Sequence, residues 1–377
     1  MTSHHIDKTN PNNLAQEADH DKQTHSPDET NTQDWLAYLT SQGAMIQDDT
    51  VMSFGDSEAE LAATHDGAIM CDLSHLGLLE ISGADAFSFL QGQVTNDVFL
   101  LAGNTSHYSG YCNAKGRLLA LFLAFSHYNH LHLQFNRELV APIMKRLKMY
   151  VMRSKVDIQD STASIIKLGL NSEHAVSLLE KLFTEVPKNP HELVSLANGA
   201  LLCLPSSKPN QSRYEIFTSA KHAATIWNAL KLHCKPVGKN CWDLLEIEAG
   251  IPEIVTKTQE EFVPQMLNLD VMQAINFKKG CYTGQEIVAR THYLGKVKRR
   301  TLQAQLTSSH LPEAGDDILN VSQEAVGKVV RSAFKQASLV RLLVELRLEN
   351  LTNADTSLSW QGLSLTMMQS NEHLTNN

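Results

Sequence analysis

The chain has 377 residues, of which 42% are hydrophobic and 19% charged, and its formal net charge is -9. That length suits about two or three domains with a sizeable core. The negative balance excludes a basic nucleic-acid binder as a description of the whole chain, though not a local basic patch.

Residues 1–33 are rich in Asn, Asp, Thr, Gln and His and poor in large apolar side chains. Such a segment cannot bury enough surface to offset its ordering entropy, so a disordered leader is expected. It is acidic, lacks arginine and has no apolar stretch, unlike a transit peptide or a secretion signal. Its scattered His4, His5, His20 and His25 do not form a metal pattern.

Order is expected from Asp34-Trp35-Leu36 onward. Gly77–Ser82 reads as a strand, Gly83–Asp85 as a turn, and 84–90 as a helix with Phe87 and Leu90 three apart. A turn at Asn113–Gly116 precedes Leu118–Phe125. This is the longest apolar run, far below the roughly 20 residues of a membrane helix, so it reads as a buried strand and no membrane span is expected. Leu131, Leu133 and Phe135 alternate as a strand does. Pro142 suits a first helical turn, ahead of a stripe of Ile143, Met144, Leu147, Tyr150 and Val151. Strands are expected at 156–158 and 165–168, and helices at 174–183 and 220–231. Residues 187–211 read as a long surface loop. From Thr301 alternation dominates, as in Leu302, Ala304 and Leu306, which predicts a small β-barrel. The expected organisation is a leader (1–33), a body (34–300), a barrel (301–369) and a frayed tail (370–377).

The six cysteines stand at 71, 112, 203, 234, 241 and 281, and none form a CxxC pair. They read as reduced thiols of a cytoplasmic protein, mostly buried, with no metal site. Cys281 is the exception. It lies between Gly280 and Tyr282, just after Lys278 and Lys279, with Gly284 close behind. Glycines permit tight turns, and neighbouring cations favour the reactive thiolate. The surrounding segment, Asn276 to Arg300, carries seven cations (Lys278, Lys279, Arg290, Lys296, Lys298, Arg299 and Arg300) against one acid, Glu286. As a basic hairpin it would attract an anion such as a polyglutamate tail, a phosphate or RNA. Tyr282 and Tyr293 are sparse aromatic content for stacking on bases, which weakens the RNA reading.

Cys241–Pro252 reads as an amphipathic helix ended by Gly250, with Trp242, Leu245 and Ala249 on one face and Glu246 and Glu248 along it. A carboxylate can accept two parallel hydrogen bonds from a ring N–H and an exocyclic amine. A pterin or guanine presents that pair, and Trp242 can stack on such a ring. The polar turns Gln91–Asp97 and Asn113–Arg117 offer Asn96, Asp97, Asn113 and Arg117 as further cleft residues.

The run Lys279-Gly280-Cys281-Tyr282-Thr283-Gly284-Gln285-Glu286, followed by Ile287-Val288-Ala289-Arg290, resembles the signature of the YgfZ-type folate-binding proteins. These are relatives of the glycine cleavage T-protein, an aminomethyltransferase. Supporting matches lie at Ser82–Asp85, Gln91–Asp97, Lys115–Arg117, Ile247–Pro252 and Phe262–Gln265, so the resemblance spans about residues 72–332. It implies an α+β, T-protein-like body of two subdomains around a central channel, plus the C-terminal barrel. It implies tetrahydrofolate, or a one-carbon derivative, as ligand, with Trp242, Glu248, Asn113 and Arg117 as folate-binding candidates. It further implies support of iron–sulfur cluster assembly or repair in client enzymes, among them one that thiomethylates tRNA. A monomer is expected, with Cys281 as its reactive residue on the strength of its flanking lysines and glycines. Where the T-protein has a pair of aspartates after the Gly116 turn, this chain has Ala120 and Leu121. Apolar side chains cannot relay a proton, so folate binding without aminomethyl transfer is expected. A folate-dependent transferase and an RNA-binding module are the competing readings.

Overall fold

The computed structural model describes residues 32–351 and 357–368. The expected tail, and all of the expected leader except Thr32 and Gln33, lie outside the described residues; those two already belong to the first helix.

The chain begins with α1 (Thr32–Ser41) and the hairpin β1 (Met45–Gln47) and β2 (Thr50–Ser53). Helix α2 (Ser57–Asp66) follows, with the Asp56 carboxylate capping the Ala59 N–H at 3.0 Å. Then come β3 (Ile69–Asp72), β4 (Leu76–Ser82), α3 (Ala86–Gln91), β5 (Ser106–Cys112), β6 (Leu118–His127) and β7 (His130–Asn136). Helix α4 (Val140–Val151), β8 (Asp157–Asp160), β9 (Ile166–Ser172) and α5 (Ala175–Leu179) lead to β10 (Leu193–Leu196), β11 (Gly199–Leu204) and β12 (Ser212–Thr218). Helix α6 (Ala220–Lys231), β13 (Lys235–Val237), α7 (Lys239–Glu248) and α8 (Gln285–Tyr293) complete the body. The C-terminal part is β14 (Arg299–Thr307), β15 (Asp317–Leu319), β16 (Ala325–Gln336), β17 (Leu339–Arg347), β18 (Ser359–Trp360), β19 (Leu363–Ser364) and β20 (Thr366–Met367).

Two sheets face each other in the body. One is five-stranded, in the order β5-β6-β7-β4-β8, and the other is six-stranded, in the order β10-β11-β12-β9-β3-β13. Side chains alternate between the faces of a strand, so each strand serves two layers. On β12, Tyr214 and Ile216 join the core under α1, α5 and α6, while Phe217 joins the core between the sheets. That inter-sheet core also takes Leu78, Leu123, Phe125 and Trp242. The third core fills the barrel-like sheet β19-β18-β15-β16-β17-β14-β20, with Leu302, Ala304 and Leu306 facing inward. The predicted helix over 220–231 coincides with α6, and the barrel's first strand begins at Arg299.

Three expectations need correction. The surface loop expected over 187–211 contains the hairpin β10–β11, because the apolar run at 200–204 pairs with β12 along its length. The helix expected over 174–183 is only the short α5. The segment read as a basic hairpin is a loop followed by helix α8, and its last two arginines already belong to the barrel.

Candidate functional site

Arg213 and Glu215 are two apart on β12, so both point toward the five-stranded sheet. On β9, Lys167, Gly169 and Asn171 stand in register with Phe217, Glu215 and Arg213. The facing sheet contributes Tyr108, Leu123 and Gln134, which share a register row. Helix α7 closes the gap from the side: Trp242 and Glu246 are four residues apart and share a face. Gly169 makes room for the indole, since a Cβ there would lie 2.5 Å from the Trp242 ring. Arg331 enters from the barrel strand β16. Together these elements line a partly open cavity of about 50 Å³ whose lining includes Tyr108, Gln134, Glu215, Trp242, Glu246 and Arg331. Among the half-buried residues on its rim are Asn136 and Glu253, joined by a 3.1 Å hydrogen bond.

The charges around this cavity are buried and paired. Glu246 accepts from Arg213 and lies 3.6 Å from the Arg331 guanidinium. Asp243 accepts from Arg331 at 2.7 Å and also from Lys239. Burial opposes ionisation of Asp243, but Lys239 and Arg331 outweigh it and hold its carboxyl below the usual range. Glu215 has no such cation in contact. Burial, with the Glu246 charge adding to it, pushes its carboxyl up to about 8, so it is protonated at neutral pH. The Gln134 side chain, within hydrogen-bonding reach of Glu215, offsets part of that rise; the Glu215 Oε2 and the Gln134 Oε1 have no hydrogen-bond partner. His75 is buried with both ring nitrogens unpartnered, and burial, with Lys239 nearby, keeps it neutral.

The sequence candidates fall in two places. Trp242 lines the cavity, but the Arg213 guanidinium lies 4.8 Å over its ring. Glu248 does not line it: its carboxylate is 4.0 Å from Lys335 on β16. Leu121 is a wall of the cavity, whereas Ala120, one residue earlier on the strand, faces the opposite layer. Asn113 and Arg117 shape a turn and its clamp. The Asn113 side chain accepts from the Lys115 and Arg117 N–H groups, and Arg117 donates to the carbonyls of Glu260 and Glu261. Asn96 likewise donates to the carbonyls of Tyr108 and Gln273, and Asp97 caps the following turn at the Phe99 N–H.

The signature segment lies against that turn. A Cβ on Gly116 would meet Ile287, and one on Gly284 would meet the Asn113 carbonyl. Lys279 donates 2.7 Å hydrogen bonds to the carbonyls of Gln91, Val94 and Asn96. Its ammonium lies 5.3 Å from the Tyr282 ring centre, and burial lowers its pKa to about 8. Lys279 thus anchors the loop rather than serving the thiol. Gly280 and Cys281 are exposed, and the other five cysteines are buried. Glu286 and Arg290 are exposed on α8, while Gln285 is half-buried. Among the described residues no group of three or more His, Cys, Asp or Glu side chains could hold a metal ion, and no helix is long and apolar enough to cross a membrane.

Sequence reasoning did not single out Arg213, Glu215, Gln134 or Arg331. Glu215 and Gln134 lie in ordinary alternating strands, and only the facing sheet converts their polar positions into buried ones.

The GCVT N-terminal domain family matches residues 38–279. The chain is 32% identical over 249 residues to the tRNA-modifying protein YgfZ of Yersinia pseudotuberculosis serotype IB (strain PB1/+), covering 66% of this chain and 74% of that protein. It is 31% identical over 258 residues to the same-named protein of Sodalis glossinidius (strain morsitans), with coverage of 68% and 77%. Among solved structures, glycine cleavage system aminomethyltransferase T from Bartonella henselae superposes with a TM-score of 0.73 at 16% identity, over 89% of this chain and 96% of that one. The fold is therefore T-protein-like.

Proposed function

The chain belongs to the family of the tRNA-modifying protein YgfZ, and from that premise we propose that it binds a reduced folate in the inter-sheet cavity without transferring an aminomethyl group. The observation that carries this reading is a pair of buried, unpartnered polar atoms, Glu215 Oε2 and Gln134 Oε1, in a cavity walled by Tyr108, Phe135 and Trp242. Aromatic walls with a few converging polar groups suit a flat heterocycle. A pterin edge offers both donors and acceptors. The Glu246 carboxylate beside its arginines, the neutral carboxyl of Glu215 and the amide of Gln134 can meet both. At about 50 Å³ the cavity is far smaller than the roughly 300 Å³ or more of a typical small-molecule pocket. Loading therefore requires its walls to part, and the Asn136–Glu253 hydrogen bond is one tie across the rim.

The apolar Leu121 on the wall supports the loss of transfer chemistry, since it can neither hold an amine nor relay a proton. In this reading the folate-loaded protein supports assembly or repair of iron–sulfur clusters in client enzymes, including one that thiomethylates tRNA. Cys281 is its exposed reactive thiol, and the protein works in the cytoplasm.

Titration calorimetry with tetrahydrofolate tests the ligand. We expect saturable binding that weakens at least tenfold in Gln134→Leu, and no turnover in a reconstituted aminomethyl-transfer assay. Absence of binding, or an affinity indifferent to Gln134→Leu, would remove the cavity as the site.

A further inference from the structure

The structure sorts the seven cations of residues 276–300 into two groups. Lys279 is used on three backbone carbonyls, and Arg299 and Arg300 form ion pairs with Glu345 and Asp270. Lys278, Arg290, Lys296 and Lys298 are exposed and make no ion pair among the described residues. Beside them lies an aromatic cluster. Phe277 and His292 stack with centroids 3.8 Å apart and planes at 13°. Tyr293 meets both edge-on, at 6.0 and 4.8 Å. Tyr293 is 64% exposed and the adjoining Leu294 84% exposed.

We propose that the exposed face of α8, with Phe277, Lys278 and residues 294–298 beside it, docks unpaired nucleotides of a structured RNA. Unneutralised cations on a chain of net charge -9 provide a local anion-seeking field. The exposed His292 and Tyr293, with half-buried Phe277 stacked on His292, add a surface on which bases stack beside those cations, which is how proteins hold unpaired RNA. An acidic peptide would use the cations but leave the rings in water, so the ring cluster selects RNA. Phe277 and His292 join Tyr293 in one ring cluster, so the segment carries more ring surface than Tyr282 and Tyr293 alone. None of these residues lines the inter-sheet cavity, so the inference stands apart from the folate reading.

The test is fluorescence anisotropy of the full chain with a labelled tRNA transcript and with a blunt RNA duplex, at low and at physiological salt. The transcript should bind more tightly than the duplex. Tyr293→Ala should weaken transcript binding about tenfold, the scale of one lost stack. Lys296→Ala combined with Lys298→Ala should reduce the logarithmic salt slope by about 1.4. All these side chains are exposed, so unchanged melting and unchanged tetrahydrofolate affinity should accompany the losses. No saturable transcript binding at low salt, equal affinity for the duplex, or binding untouched by both variants would overturn the proposal.

Discussion

Arg213 holds its guanidinium 4.8 Å over the Trp242 ring while donating to the Glu246 carboxylate. A cation over an indole is favourable, more so when desolvated, and both ion-pair partners here are almost completely buried. The arrangement ties the six-stranded sheet to α7, and Glu246 extends it to Arg331 on the barrel. It also covers a face of the indole that the sequence offered as a stacking surface. A heterocycle in the cavity therefore either meets Trp242 elsewhere on the ring or displaces Arg213.

Removing Arg213 should be costly. Arg213→Met fills much of the volume but leaves Glu246 buried beside Arg331 alone, a loss of about 3–5 kcal/mol for a broken buried pair. The double variant Arg213→Met with Glu246→Gln should recover a substantial part of that, because no uncompensated charge remains. Urea denaturation of the three proteins measures it. Single and double variants of equal stability would mean that the lone carboxylate finds other solvation.

Glu215 should make stability depend on pH. Its carboxyl titrates near 8 in the folded chain against about 4.3 when unfolded. Between those values the folded state keeps a proton that the unfolded state has released. This contribution is thus fully present below about pH 4.3 and is lost as pH rises through about 8. Glu215→Gln, neutral at every pH, should flatten that part of the profile and be more stable than the wild type at pH 8. Denaturation midpoints from pH 5 to 8 would decide, and parallel profiles would mean that Glu215 ionises freely.

Glu246 and Glu248 should separate by function. Only Glu246 lines the cavity, so Glu246→Gln should weaken tetrahydrofolate binding by about 1–3 kcal/mol, the scale of a charge-assisted hydrogen bond. Glu248→Gln, at a half-buried residue outside the cavity lining, should change it by less than about 0.5 kcal/mol. The opposite ranking by calorimetry would place the pterin on the barrel side of α7.

Cys281 should react alone. It is the exposed cysteine among five buried ones, so native-state alkylation followed by mass spectrometry should label it first. Cys281→Ser should fold, bind tetrahydrofolate and fail to restore tRNA thiomethylation in a deletion strain. Full restoration would reduce the cysteine to a small residue at a turn.

Much of the fold was legible from alternation and spacing. The helix at 220–231, the buried strand after the Asn113–Gly116 turn, the barrel after residue 300 and the single exposed thiol all follow from local pattern and composition. These features depend on a residue and its near neighbours, and periodicity reports such relations directly.

What tertiary structure alone decided is which polar groups face one another. Glu246 and Glu248 are two residues apart, about 200° around a helix, and nothing local says which side meets a cavity. Arg213 and Glu215 sit on the polar side of an alternating strand, which in a sheet with one wet face would meet water. Here that side meets a second sheet, so the same alternation buries an ion pair and a protonated carboxyl. Lys279 reads as a charge beside a thiol, yet three carbonyls from residues 91–96, almost two hundred positions away in sequence, claim it. Sequence spacing fixes which groups share an element's face. The partner of each face is set by long-range packing, and with it the burial, pairing and protonation that give the site its chemistry.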